Sequence, residues 1–203
     1  MGRPSRNILS PAIIAGSALK LVRLHRDFTI PGIAADLGVN ASSLYHHVKG
    51  GKAEIIKLMR AELYAGLELS AFHDATIPWQ ERLAGWMRSY RDASAQVPAV
   101  LPLLVGARVD DARTLEVYET LLVILDHAGV PGGQQPAVSA MVDAMVIGSA
   151  IDAASPDALW ITTPETPLLA ALAQEPTSGR RREDGLEFAI RAVVVQVEGL
   201  VGA

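Results

Sequence analysis

The sequence predicts an all-α protein made of a small N-terminal head and a larger helical body. Three observations carry this. Few segments alternate with period two, turn signals recur roughly every 10 to 20 residues, and the apolar residues between them keep helical spacing.

Ser10-Pro11 reads as an N-cap followed by proline at the first helical position. It opens a helix to about Val22, with Ile14, Ala18, Leu21 and Val22 as the buried stripe. Thr29 caps a second, short helix with Pro31 in its first turn, running to Leu37 and stopped by Gly38. A third starts near Asn40 and reaches about Val48. Gly50-Gly51 is a flexible break, and a fourth helix covers about 52–70, with Ile55, Met59 and Leu63 on one face. From Pro78 the pattern restarts with an amphipathic helix over 78–96. PAVLPLLVGARV (98–109) is a short apolar helix that bends or begins at Pro102. Residues 110–133 carry a helix with aspartates at its start and His127 in its last turn, both favourable to the helix dipole; Gly129 and Pro131 end it. Another helix spans 134–154, a loop 152–167, a short helix 167–175 and a polar connector 176–183. The final segment, 185–203, contains a valine run. Leu186, Ile190, Val193, Val197 and Leu200 nevertheless keep helical spacing, so it too is predicted helical.

With 203 residues, half of them hydrophobic, the chain can bury a substantial core. It has no cysteine, which excludes disulfides and thiolate metal sites and suits a reducing cytoplasm. Arg3 and Arg6 before AIIAGSALKLV imitate a signal peptide, but Lys20 interrupts the apolar run. The longest apolar stretch, 138–151, is shorter than a membrane span and contains Asp143, so no membrane association is expected. Net charge is −4, yet its distribution is uneven. Residues 1–60 hold nine Lys+Arg against three Asp+Glu, and all four lysines lie there; residues 61–203 hold nine against nineteen. A basic head on an acidic body is suited to meet a polyanion.

Residues 29–48, TIPGIAADLGVNASSLYHHV, form one object: two short helices joined by a tight turn. Ala34 sits where crossing helices must approach closely, and Gly38 where the turn needs a positive φ. Ile33, Leu37, Val39, Leu44 and Val48 are spaced to fill the wedge between them. This is the logic of a helix-turn-helix, whose second helix enters the major groove by its N-terminal residues. On these residues, with LSPAIIAGSALKLV before them and KGGKAEIIKLM after, the first 60 residues resemble the DNA-binding domain of TetR-family transcriptional regulators. The specific phrase is LGV-x4-LYHHV with its lysine-rich entry into the fourth helix.

The resemblance implies that Tyr45 and His47 approach DNA phosphates and that His46 faces the groove or backbone. Tyrosine hydroxyl and imidazole N–H are phosphate donors, and Lys49 and Lys52 add charge beside them. Asn40, Ala41, Ser42 and Ser43, at the start of the third helix, are the candidates for base edges, and Thr29 joins the DNA-facing set. As helix neighbours His46 and His47 point about 100° apart, so they do not form a metal pair; no metal site is expected. Pro31, Ala41 and Gly51 depart from the pattern of the relatives, which carry basic or polar residues there.

By the same resemblance the body, 52–203, is a helical ligand-binding and dimerisation domain, and 1–51 the DNA-binding domain. The residues agree. The helices 134–154 and 185–203 are apolar on more than one face, and Gly148, Ser149, Ala150, Ala153 and Ala154 permit close helix approach, as a homodimer would use. Trp79, Leu83, Trp86 and Tyr90 form one stripe, equally suited to core and to a pocket. Met59, Trp86, Tyr90, Tyr118, Met141 and Met145 are the candidate ligand contacts, the methionines being adaptable. No nucleophile elbow, P-loop, dinucleotide fingerprint or His/Glu metal spacing is present, so neither an enzyme nor a cofactor is expected. The expectation is a cytoplasmic, ligand-responsive regulator, a repressor that binds a palindromic double-stranded operator as a homodimer and is released by a small-molecule effector. The alternative is a helical ligand-binding or scaffolding dimer with a degraded DNA reader.

Overall fold

A computed structural model describes residues 9–155, 160–173 and 178–202. Arg3 and Arg6, residues 156–159 of the expected loop and residues 174–177 lie outside them. Among the described residues all regular structure is helical, in the order α1 (Pro11–His25), α2 (Ile30–Leu37), α3 (Ala41–Tyr45), α4 (Gly51–Leu63), α5 (Trp79–Ala95), α6 (Leu101–Leu104), α7 (Ala112–His127), α8 (Gln135–Ala153), α9 (Pro167–Ala173) and α10 (Ser178–Val201). Short 3₁₀ turns lie at Ser70–His73 and Pro98–Val100. The chain divides into two compact units, one of residues 1–67 with 96–118, the other of 68–95 with 119–203.

In the first unit α1 packs against α4, α2 and the Pro98–Val100 turn, α2 against α3, and α4 against α6. Ser10 caps α1 by accepting from the Ile13 N–H at 3.3 Å, and Arg26 closes it in the left-handed region at φ 63°. α1 therefore runs three residues past Val22, with Arg23 and His25 in its last turn, where cations suit the dipole. Ile14, Val22, Ile33, Leu44, Val48, Ile55 and Met59 are fully buried, each contributing about 2 kcal/mol of apolar transfer.

Three boundaries in this unit differ from expectation. α3 stops at Tyr45, although the Val48 N–H still reaches the Leu44 carbonyl at 2.9 Å; Val48 ends in the core rather than in a regular helix. α4 stops at Leu63 instead of about 70. Arg113 donates to the carbonyls of Tyr64 and Leu67, a side-chain capture that no local propensity signals. The segment 98–109 is a 3₁₀ turn and a single α-turn, leaving Val105 exposed and Gly106 at φ 79°.

In the second unit α5 lies against α8 and α10, and α8 against α10. Leu83, Met87, Val142, Val146, Val193 and Val197 are fully buried there. Arg82, also buried, donates to the carbonyls of Ile77 and Phe72, and its Nη1 lies 2.9 Å from His127 Nδ1. α10 begins at Ser178, so the expected polar connector 176–183 is corrected. Arg181 pairs with Asp152, Arg182 donates to the Ser155 carbonyl, and Glu183 binds Arg91, so tertiary ion pairs draw a polar segment into a helical first turn. α8, at 19 residues, is also longer than its apolar stretch suggests, and by length and composition alone passes for a membrane span. Its packing on α5 and α10 buries Val138, Val142, Val146 and Ala150.

Candidate nucleic-acid interface and effector residues

The turn between α2 and α3 is built from backbone bonds. Gly38 takes φ 65°, and its N–H reaches the carbonyls of Ala34 and Ala35 while the Val39 N–H returns to Ala34 at 2.9 Å. Thr29 Oγ1 accepts from the Gly32 N–H at 3.0 Å, which closes the start of α2 and leaves the hydroxyl proton free to donate. Pro31 stands in the first turn of α2, where a missing N–H costs the helix nothing but offers nothing to a phosphate.

α3 and the turn after it hold the candidate DNA-facing residues. Leu44 and Val48 are fully buried and hold it against the head, while Tyr45 is 52% exposed and His46, His47 and Lys49 are exposed. Asn40 precedes α3 without a side-chain cap bond, so its amide is uncommitted. Ser42 is exposed, and Ala41 and Ser43 are half-buried. Gly51 opens α4 at φ 61°, a left-handed conformation in which a side chain would be strained. Lys52, exposed, contacts Asp27 at 3.0 Å and lies 5.1 Å from the Phe28 ring centroid. Sequence reasoning missed this pair, because Asp27 and Lys52 belong to different elements and no spacing links them.

It also missed the strongest polar feature of the first unit. Arg60 and Asp111 are 4% and 6% exposed and meet at 2.9 Å. Arg60 further donates to the carbonyls of Ala107 and Arg108. Asp111 Oδ1 accepts from the Thr114 N–H at 2.8 Å, capping α7. Burial pushes the Asp111 carboxyl up, but hydrogen bonds from Thr114 and Arg60 outweigh it and hold the pKa below the ordinary value. One pair thus ties α4 to the start of α7.

The candidate ligand residues are spread over both units. Trp86 and Tyr90 meet with ring centroids 5.0 Å apart and are 1% and 4% exposed. Met59, fully buried, and Tyr118, half-buried, belong to the first unit; Met141 and Met145, half-buried, belong to the second. Met141 lines a cavity of about 260 Å³ with Gln134, Ala137, Val138, Gln196 and Leu200, which sequence reasoning did not name as ligand contacts.

A helix-turn-helix with exposed polar side chains in and after its second helix, in an otherwise all-helical chain, is an architecture of transcriptional regulators. The chain belongs to the TetR family of these: residues 74–184 match the family described as Tetracyclin repressor-like, C-terminal domain. No curated protein matches it in sequence. Among solved structures it is similar to ActR of Streptomyces coelicolor in complex with actinorhodin, with a TM-score of 0.71 at 20% identity, covering 94% of this chain and 97% of that one. It is also similar to a TetR variant of Acinetobacter baumannii AYE in complex with minocycline (TM-score 0.67, 18% identity, 96% and 99% covered). A third is BioQ of Mycobacterium smegmatis (TM-score 0.64, 19% identity, 92% and 99% covered). At these identities the likeness is one of fold.

Proposed function

We propose that this regulator is a cytoplasmic repressor that binds a palindromic operator as a homodimer and is released by a small-molecule effector. Residues 1–51 serve as the reader and 52–203 as the ligand-binding and dimerisation part. The observation that carries the reading is the exposed run Tyr45, His46, His47 and Lys49, at the end of α3 and in the turn after it, anchored by Leu44 and Val48, which are fully buried. A polar row held rigidly outward beside lysines has the chemistry of phosphate contact. Asn40, Ser42 and Ser43 supply the base-edge donors and acceptors, with Ala41 suited to a thymine methyl.

Dimerisation is supported by α8 and α10, where Ile151, Phe188, Val195 and Val201 are exposed apolar side chains. The effector is a small organic molecule, by analogy with the minocycline and actinorhodin bound to the fold neighbours. Its signal travels through α7, a continuous helix on which the two units divide after Tyr118, to the Asp111–Arg60 pair and so to α4. For this to work the effector must bind the two states unequally.

The test is selection of random duplex DNA by the purified protein, then a salt titration of the enriched sequence. An inverted repeat bound with a steep salt slope is the expected result. Absence of enrichment at low salt overturns the reading and favours the alternative of a ligand-binding dimer with a degraded reader, which Pro31 and the small side chain at Ala41 support.

A further inference from the structure

We propose that Asp27 is a built-in competitor for the DNA backbone: its carboxylate occupies the place at Lys52 that a phosphate oxygen takes on binding, and so sets the affinity and salt sensitivity of the head. This rests on the reading of the head as a DNA reader.

The geometry is that of a phosphate surrogate. Asp27 Oδ1 lies 3.0 Å from Lys52 Nζ and accepts from the Phe28 N–H at 2.8 Å, so the backbone aims the carboxylate. Phe28, 3% exposed, presents its ring under the ammonium at 5.1 Å and fixes the other side of Lys52. The chain around Asp27 is constrained from both ends, by Arg26 in the left-handed region and by the Thr29 cap. Hydrogen bonds from the Phe28 N–H and from Lys52 lower the Asp27 pKa, so the group stays charged wherever DNA binds. Both side chains are more than half exposed, 62% and 53%. An exposed pair is weak, so a phosphate can displace the carboxylate, at a cost.

The charge inventory of the head gives this weight. Its lysines are Lys20, Lys49, Lys52 and Lys57, and three are matched: Lys20 by Asp36, Lys52 by Asp27 and Lys57 by Asp110. Lys49 has no ion pair among the described residues. The formal excess of positive charge therefore overstates what DNA meets. Of the three matched lysines, Lys52 alone belongs to the DNA-facing set. An ordinary surface pair that merely joins the α1–α2 link to α4 makes a different prediction: its loss changes stability and leaves DNA binding alone.

The experiment measures binding of the full chain to a mixed-sequence DNA duplex by fluorescence anisotropy over a salt series. The wild type, Asp27→Asn, Lys52→Ala and the double variant are compared. Asparagine keeps an acceptor for the Phe28 N–H, and circular dichroism confirms the fold. Asp27→Asn is expected to bind about fivefold tighter at low salt, with a log–log salt slope steeper by about one. The gain disappears in the Lys52→Ala background. An unchanged or weaker affinity for Asp27→Asn, with the wild type binding normally, overturns the proposal and leaves the DNA reading intact. An equal gain with and without Lys52 also overturns it, because the effect is then one of net charge. Binding by none of the four proteins at low salt removes the DNA reading, and the proposal with it.

Discussion

Tyr45, the last residue of α3, and His47, in the turn after it, are exposed, while Leu44 and Val48 beside them do the packing. Replacing Tyr45 and His47 with alanine is therefore expected to lower DNA affinity by roughly 100-fold while leaving the melting temperature unchanged, since surface substitutions move stability little. Anisotropy and calorimetry on one preparation check both halves. The Arg60–Asp111 pair behaves in the opposite way. Both groups are buried, so Asp111→Ala strands a guanidinium and uncaps α7; a loss of about 3 kcal/mol in urea unfolding is expected. The pH dependence has a definite sign. The folded pKa of Asp111 lies below the ordinary 3.8, so its contribution is full above that value and is lost as pH falls through the depressed one. A stability–pH profile of Asp111→Asn should lack that acid limb. Neither partner was legible in the sequence, because Arg60 and Asp111 are distant along the chain and each is an ordinary charged residue in its own window.

Helices whose ends are written in local chemistry were legible. Ser10-Pro11, Thr29 and Gly38 mark α1 and α2 because a cap hydroxyl and a left-handed glycine act within four residues. Thr29→Ala should cost about 1 kcal/mol, and Gly38→Ala, at φ 65°, a similar amount from backbone strain. Thermal unfolding of the two variants tests whether α2 is held by these caps or by its packing. Helices whose ends are set by distant side chains were misread. α4 is cut short where Arg113 takes the carbonyls of Tyr64 and Leu67 just past its end, and α10 is lengthened where Asp152 and Arg91 meet Arg181 and Glu183. No window of sequence contains both partners of such a contact.

For the molecule entire, the consequential surface is the apolar one on α8 and α10. Val195 is 66% exposed in a single chain, and Phe188 and Val201 on the same helix are exposed with it. Val195→Arg is expected to convert a dimer into monomers of unchanged helix content, read by analytical ultracentrifugation, and to weaken operator binding by removing the second reader. A wild-type monomer at micromolar concentration would overturn the dimer reading.

Periodicity, caps and the LGV-x4-LYHHV phrase sufficed to establish the all-helical class, the helix-turn-helix and the polar residues at the end of α3, because each is encoded within a few helical turns. The charge asymmetry was equally plain from counting. Counting does not show that most head lysines already have aspartate partners, or that α4 is latched to α7. Those facts depend on residues brought together from remote parts of the chain. Their energies come from burial and pairing in three dimensions, which no local pattern records.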